Sequence, residues 1–235
     1  MKDIITSGLA ELGLSQRVPA SAPELLEQYG RLLLEKNQVM NLTAITEPEE
    51  VARLHFLDSA ALLTLADFRG KTVVDVGTGA GFPGMPLRLI EPSLRLTLLD
   101  SLGKRITFLQ GACDELGLTD VRCVHARAED FAGEHREGFD LAVSRAVANL
   151  RLLSELCLPL VKVGGQFLAM KSAGSDGEIG EAGKAIALLG GKVSAVRDYP
   201  IPGTEITHRL VVIDKVSPTP KKYPRPFARI KKAPL

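Results

Sequence analysis

The chain has few cysteines, no long apolar run and almost no net charge, and each shortage excludes something. Its three cysteines, Cys113, Cys123 and Cys157, are widely spaced, odd in number and without a Cys-x-x-Cys pair. That argues against a disulfide framework or a cysteine metal site, and for reduced, mostly buried thiols in a cytoplasm. No apolar run approaches the length needed to cross a bilayer. The first residues, Met1 to Ala10, carry Asp3 and lack a long apolar core, so no secretion signal is expected. Internal repeats and long low-complexity segments are also missing. His55 and Asp58 lie three apart on one helical stretch, but no second histidine is near them. The plain reading is a structural histidine, and no metal is expected.

What remains is ordinary globular material. The 235 residues are 45% apolar and 24% charged, enough for one well-buried domain plus an extension. The net charge of +1 hides an uneven layout. Residues 1–66 hold five Lys/Arg against nine Asp/Glu, whereas residues 215–235 hold seven Lys/Arg and no acid. A neutral whole with one basic end points to a local contact with a polyanion. The chain divides accordingly into a helical N-terminal cap (1–66), an α/β domain (67–214) and a basic tail (215–235).

In the first part, Ser21-x-x-Glu24 has the form of a capping box before a helical apolar repeat through Leu25, Leu26, Tyr29, Leu32 and Leu33. Thr46-x-x-Glu49, with Pro48 in the first turn, predicts a second helix start. Asn37–Ile45 connects the two.

From Lys71 onward, strands and helices alternate. Strands are predicted over 72–76, 94–100, 121–125, 139–144, 166–171, 192–199 and 206–214, and helices over 86–91, 103–116, 149–158 and 176–189. This predicts a parallel, doubly wound sheet. The last two strands follow each other through a Pro-Gly loop and should pair antiparallel at one edge. The tail from Ser217, rich in proline and lysine, reads as irregular and draped on the surface.

The centre of the pattern is Thr72–Gly84, T-V-V-D-V-G-T-G-A-G-F-P-G. A β-branched run ends in an acid, and Gly77, Gly79 and Gly81 follow at once. Glycines in such a turn let the backbone approach a bound group, and the next helix points its partial positive end at the same place. Ligands bind beyond the carboxyl ends of strands in such sheets. Asp100 ends the second strand, where a carboxylate can take up a ribose diol, and Ser101 is placed to cap the following helix. Ala128 and Glu129 follow the third strand, beside an adenine. Ser144 and Arg145 close the fourth strand, near the reacting end of a ligand.

Gly79-x-Gly81-x-x-Gly84 also satisfies the dinucleotide pattern, so the glycines alone do not separate NAD from S-adenosylmethionine. Three features favour the latter. Asp75 opens a D-x-G-x-G-x-G loop and can meet the methionine end; Pro83 and Pro86 would strain a pyrophosphate cradle; and the last strand is antiparallel. An oxidoreductase and a non-catalytic RNA-binding protein with a vestigial pocket stay as rivals.

The acceptor is bounded by elimination. None of the cysteines sits in a Pro-Cys loop, as attack through a pyrimidine carbon needs. Ser144-Arg145-Ala146-Val147 stands where an Asn/Asp-Pro-Pro-aromatic tetrad would serve an exocyclic amine. Guanine N7 has a free lone pair and needs no general base. This excludes rivals without naming N7. A catalytic residue is accordingly not assigned, Arg145 being the candidate by position. Lys221, Lys222, Arg225, Arg229, Lys231 and Lys232, with Tyr223 and Phe227 among them, suit phosphate contacts and stacking on an unpaired base. Arg122, Arg127, Arg145 and Lys171 would extend a basic rim, and Asn41, Arg145 and Lys171 are candidates for holding the base.

Long ordered stretches carry a family resemblance: G-T-G-A-G-F-P-G-M-P-L at 77–87, L-L-D-S-L-G-K-R at 98–105, H-A-R-A-E at 125–129, S-R-A-V-A at 144–148 and K-Y-P-R at 222–225. N-L-T-A-I at 41–45 and H-F-L-D-S at 55–59 belong to the same set. The chain resembles the bacterial small-subunit ribosomal RNA methyltransferase G family, also called glucose-inhibited division protein B, along nearly its whole length. Met85 replaces the family's usual Ile. The resemblance implies a class I S-adenosylmethionine-dependent methyltransferase fold, Rossmann-like, with seven mostly parallel strands, an antiparallel last strand and an N-terminal helical extension. It implies methyl transfer to guanine N7 in a loop of 16S rRNA near the decoding centre, with free rRNA or the 30S particle as partner. It places Gly77, Phe82, Ala128, Glu129 and Arg145 on cofactor-contacting positions. Nothing in the sequence demands more than a monomer.

Overall fold

Strand β1 (Thr72–Val76) lies inside the sheet, covered on both sides, because T-V-V-D-V has apolar groups for both faces. The computed structural model describes residues 1–145 and 148–235; Ala146 and Val147, part of the predicted tetrad position, lie outside the described residues. Around β1 the sheet runs β3-β2-β1-β4-β5-β7-β6, with β2 (Arg95–Asp100), β3 (Val121–His125), β4 (Phe139–Arg145), β5 (Val161–Ser172), β6 (Gly191–Pro200) and β7 (Thr207–Lys215). The first five strands pair parallel. Strand β7 runs antiparallel to both neighbours and is inserted between β5 and β6. The predicted reversal at one edge is therefore present, and β6 rather than β7 is the outer strand.

The period-two alternation of the strands builds two cores. Val73, Leu96, Leu98, Val143 and Leu168 face the N-terminal helices α1 (Lys2–Glu11) and α2 (Ala22–Met40), together with α5 (Gly84–Ile90) and α6 (Gly103–Glu115). Val74, Val76, Ala142, Phe167 and Val211 face the other way, against α8 (Leu150–Cys157) and α9 (Asp176–Leu188). Helix α7 (Ala128–Glu134), which the sequence reading did not assign, packs Phe131 and Ala132 on this second side. At the amino end of the sheet, the Asp140 carboxylate accepts from the Thr72 amide and hydroxyl, which pins β1 to β4.

Local signals at helix starts were met unevenly. Ser21 flanks α2 but makes no side-chain cap bond, so the predicted capping box does not close. The second N-terminal helix starts at Pro48, with Glu47 rather than Thr46 flanking it. It runs through α3 (Pro48–Val51), a π-helical stretch (Ala52–Leu57) and α4 (Asp58–Leu65). Asn149 does cap α8, its side chain accepting from the Leu152 amide at 3.0 Å.

The tail is more ordered than its composition suggests. Phe227–Lys232 forms a helix, α10, and Tyr223 and Ile230 are buried in the second core. Lys215 is 1% exposed; its ammonium donates to the Leu158 carbonyl (2.6 Å) and Thr219 Oγ1 (2.7 Å) and pairs with Glu137 (3.1 Å). Burial pulls the Lys215 ammonium below its usual range, with Glu137 opposing. Arg136 donates to the Thr219, Pro220 and Tyr223 carbonyls. Arg225 forms a two-pronged pair with Glu155, which is 0% exposed, and its own amide donates to the same carboxylate.

Removing one partner of a buried ion pair costs more than the pair contributes. Glu155→Ala should therefore destabilise the protein by about 3 kcal/mol, read as a lowered urea midpoint, and should expose residues beyond Pro220 to protease.

Candidate active site

The loop after β1 turns back sharply because the Gly77 and Thr78 amides both donate to the Leu99 carbonyl of β2. Gly79 and Gly81 carry left-handed backbone angles, with φ of 60° and 84°. Their surroundings differ. A Cβ on Gly79 would meet nothing within 4 Å, whereas one on Gly81 would sit 2.4 Å from the Tyr29 hydroxyl. The first glycine leaves room for a ligand, and the second makes room for helix α2. Tyr29 is fully buried and donates its hydroxyl to the Ala80 carbonyl, so the N-terminal helices help hold the loop.

Two carboxylates shape that loop. Asp100 Oδ2 accepts from the Gly79 amide (2.9 Å) and from Arg105 (3.3 Å), while Oδ1 accepts from the Leu102 amide (2.9 Å). Leu102, not Ser101, flanks α6, and the predicted Ser101 cap bond is absent. Ser101 is exposed, and its carbonyl meets His125 Nε2. Asp75 is fully buried; Oδ2 accepts from Thr78 Oγ1 (2.7 Å) and the Gly84 amide (2.9 Å), and Oδ1 has no partner among the described residues. Burial pushes its pKa up to about 6, against the Thr78 and Gly84 hydrogen bonds. Ala128 and Glu129 open α7 beyond β3, and Glu129 lines a surface cleft with Arg127, Pro226 and Phe227.

Next to the loop, Phe82 stacks on His55 at 4.3 Å and lies under the Arg145 guanidinium at 5.0 Å. Arg145 does not point freely into a ligand space. It donates to Asp58 Oδ2 (3.1 Å), the Leu54 carbonyl (3.0 Å) and His55 Nδ1 (3.0 Å). A guanidinium only donates, so His55 Nδ1 accepts and the ring's proton sits on Nε2, facing Thr43 Oγ1 at 2.9 Å. Burial, then Arg145, drives the His55 pKa down to about 3, and the imidazole is neutral. Asp58 Oδ1 accepts from Tyr199 Oη and His208 Nδ1, both at 2.9 Å. Burial alone would raise the Asp58 carboxyl; the His208 and Tyr199 bonds and Arg145 outweigh it and hold the carboxyl below its usual range.

This network walls a cavity of about 660 Å³ at the carboxyl ends of β4 and β5, lined also by Ile45, Met170, Lys171, Glu178 and Ile206. Lys171 pairs with Glu178 at 2.6 Å inside it. Asn41 is exposed in a left-handed conformation after α2, on the connector that Asn37 ties down through the Leu42 and Thr43 amides. Arg122 belongs elsewhere. It lies near the amino end of β3, paired in register with Thr97, in a cleft with Thr72 and Arg95. In the tail, Lys221 and Lys222 are exposed, but Arg225 is bound to Glu155 and Tyr223 is buried, so neither of the latter is open to RNA. Phe227 is half-buried under Arg127.

Four residues at this site went unassigned in the sequence: Tyr29, Tyr199, Glu178 and His208. His55 and Asp58 were seen but read as structural; the H-F-L-D-S stretch was the available signal. No group of histidine, cysteine and acidic side chains that could hold a metal occurs among the described residues, and no helix there is long and apolar enough to cross a membrane.

The seven-stranded sheet with its reversed β7, the glycine loop and the acids at the ends of β1 and β2 define a class I methyltransferase fold dependent on S-adenosylmethionine. The chain aligns with TrmN from Thermus thermophilus (TM-score 0.54, 22% identity, 67% of this chain and 48% of that one). It also aligns with M. jannaschii TYW2 in complex with AdoMet (TM-score 0.55, 13% identity, 68% and 75%). At those identities the likeness speaks for the fold. The family model GidB, rRNA small subunit methyltransferase G, matches residues 22–206. Proteins named ribosomal RNA small subunit methyltransferase G are 48% identical in Alkaliphilus metalliredigens (100% of this chain, 98% of the relative) and in Clostridium perfringens strain 13 (88% of each). The chain belongs to the rRNA small subunit methyltransferase G family.

The residues fit the cofactor. A buried, unpartnered Asp75 oxygen sits at the start of the loop, and open space lies over Gly79, whose amide Asp100 holds. When bound, S-adenosylmethionine supplies an electrophilic methyl group on a sulfonium.

The two glycines should separate by experiment. Gly79→Ala should cost about 1 kcal/mol of stability, the left-handed backbone penalty, yet weaken cofactor binding in calorimetry at least tenfold. Gly81→Ala should lose folding first, as a fall in thermal midpoint. Asp75 binds its proton more tightly in the native state than in the unfolded chain, so its contribution to stability is full below about pH 4 and lost as pH rises through about 6. The urea midpoint of the protein should thus fall relative to that of Asp75→Asn between about pH 4 and about pH 7.

Proposed function

We propose that this methyltransferase moves the methyl group of S-adenosylmethionine to N7 of a guanine in a 16S rRNA loop near the decoding centre. The observation that carries the acceptor atom is the cavity beside the glycine loop. Its polar wall of Asp58, Arg145, Lys171, Glu178 and His208 contains no cysteine, and its other histidine, His55, is neutral and bonded at both nitrogens. Cys113 and Cys157 are buried, and burial pushes the Cys157 thiol up. Displacement at a sulfonium by a lone pair asks only for alignment and exclusion of water, and N7 has that lone pair without loss of a proton.

The parts then take these roles. Gly77, Gly79, Gly81, Asp100, Ala128 and Glu129 hold the cofactor, with Asp75 toward its methionine end. Phe82 and Arg145 form the wall between cofactor and base, held by the His55–Asp58 helix. Residues 1–66 act as a cap that locks this wall, 67–214 as the methyl-transfer unit and 215–235 as an ordered strap with an exposed basic face. Positive charge passes from the sulfonium to the purine. The chain works in the cytoplasm as a monomer on rRNA or the 30S particle.

The test is transfer of a labelled methyl group to small subunits from cells lacking this gene, followed by mapping of the modified nucleotide. Label on a base other than guanine, or at an atom other than N7, would refute the reading. For the strap, the paired change Lys221→Ala, Lys222→Ala should reduce the slope of log affinity against log salt by about one to two and leave cofactor affinity unchanged. Arg225→Ala should instead show up in stability.

A further inference from the structure

We infer that Glu178 reads the target base: its carboxylate accepts from the N1–H and N2 amine of a guanine while the neighbouring Lys171 ammonium donates to O6. This rests on the methyl-transfer reading above and adds the specificity determinant. A guanine methylated at N7 must leave that atom free toward the sulfonium. Its identity is then read from the opposite edge, which offers O6 as acceptor and N1–H and N2–H2 as donors.

Lys171 and Glu178 face the same cavity from two elements, the end of β5 and the first turn of α9. Lys171 Nζ donates to Glu178 Oε1 and to the Ala148 carbonyl, each at 2.6 Å, which commits two of its three protons. Glu178 Oε1 also accepts from the Leu150 amide, whereas Oε2 makes no hydrogen bond among the described residues. One Lys171 donor and one charged oxygen, Glu178 Oε2, whose lone pairs can take both the N1–H and the N2 amine, are therefore left side by side, fixed by the bonds their other atoms make. That order matches the O6 and N1–H of guanine. Adenine inverts it, setting an amine against Lys171 and a lone pair against Glu178. Uracil repeats the order but has no amine for the carboxylate's second contact, and it is smaller. Two other polar groups at the cavity are tied down by their own bonds, Arg145 to Asp58, Leu54 and His55, and His208 Nδ1 to Asp58.

Inosine keeps O6, N1–H and N7 and lacks only the N2 amine, so it isolates the contact. Small-subunit RNA is prepared with guanine or inosine at the mapped methylation position, and kcat/KM is measured for the protein and for Glu178→Gln. The expected result is a loss of roughly tenfold or more on inosine for the unaltered protein. In Glu178→Gln, kcat/KM on guanine should fall by a similar factor, the inosine penalty should shrink below about twofold, and cofactor affinity should hold within about twofold. Equal rates of the unaltered protein on guanine and inosine would overturn the inference, as would an undiminished inosine penalty in the variant. The inosine arm needs no variant, so a folding defect in Glu178→Gln does not shield the idea. If the unaltered protein fails to methylate N7 on guanine RNA, the functional reading falls and this inference with it, a result seen before any variant is made.

Discussion

A carboxylate shut away from water must find its partners inside the protein, and Asp58 draws its own from three distant parts of the chain. Its two oxygens take hydrogen bonds from Arg145 on β4, Tyr199 on β6 and His208 on β7. Left unpaired, the charge would cost several kcal/mol; paired, it fixes the N-terminal helix against the carboxyl ends of the sheet. Arg145 passes the constraint on, to the Leu54 carbonyl in the π-helical stretch and to His55, and His55 with Phe82 passes it to the glycine loop. On the proposed reading, the cofactor side and the acceptor side thus share one wall. A change at Asp58 would be felt at both.

The N-terminal helices are consequently part of the site as well as a cover for it. Tyr29 braces the loop from one side through the Ala80 carbonyl, and Thr43 Oγ1 meets the Nε2–H of His55 from another. The one-sided apolar faces of the helices in residues 1–66 suggest only a structural cap. Its decisive acid, Asp58, turns out to be the least exposed of all.

What was legible in the sequence was whatever short-range physics controls. T-V-V-D-V followed by spaced glycines placed β1 and the loop, and the acids Asp75 and Asp100 fell where strand ends put them. The reversal of the last strands followed from a loop too short for a crossover. What was hidden were pairings across long stretches of chain. Tyr199 and His208 meet Asp58 from more than a hundred residues away, and nothing in their local pattern marks them. Ser101 and Ser21 looked like helix caps because their residue type favours it, but Asp100 took the amide near one, and the other cap bond did not form. Arg225 read as a phosphate contact because its neighbours are basic; only the fold reveals Glu155 waiting beneath it.

That buried pair changes what the basic strap can do. Lys215 and Arg225 are spent on holding the segment down, while Lys221, Lys222, Arg229, Lys231 and Lys232 stand exposed on a backbone already fixed by Arg136, Tyr223 and Ile230. A flexible basic tail would have to give up its conformational freedom on meeting a polyanion. This one presents its charges at set spacings before the encounter. On the proposed reading, phosphates that match the spacing would be met without ordering the backbone first, so the geometry of the strap as well as its charge would bear on which strand it takes.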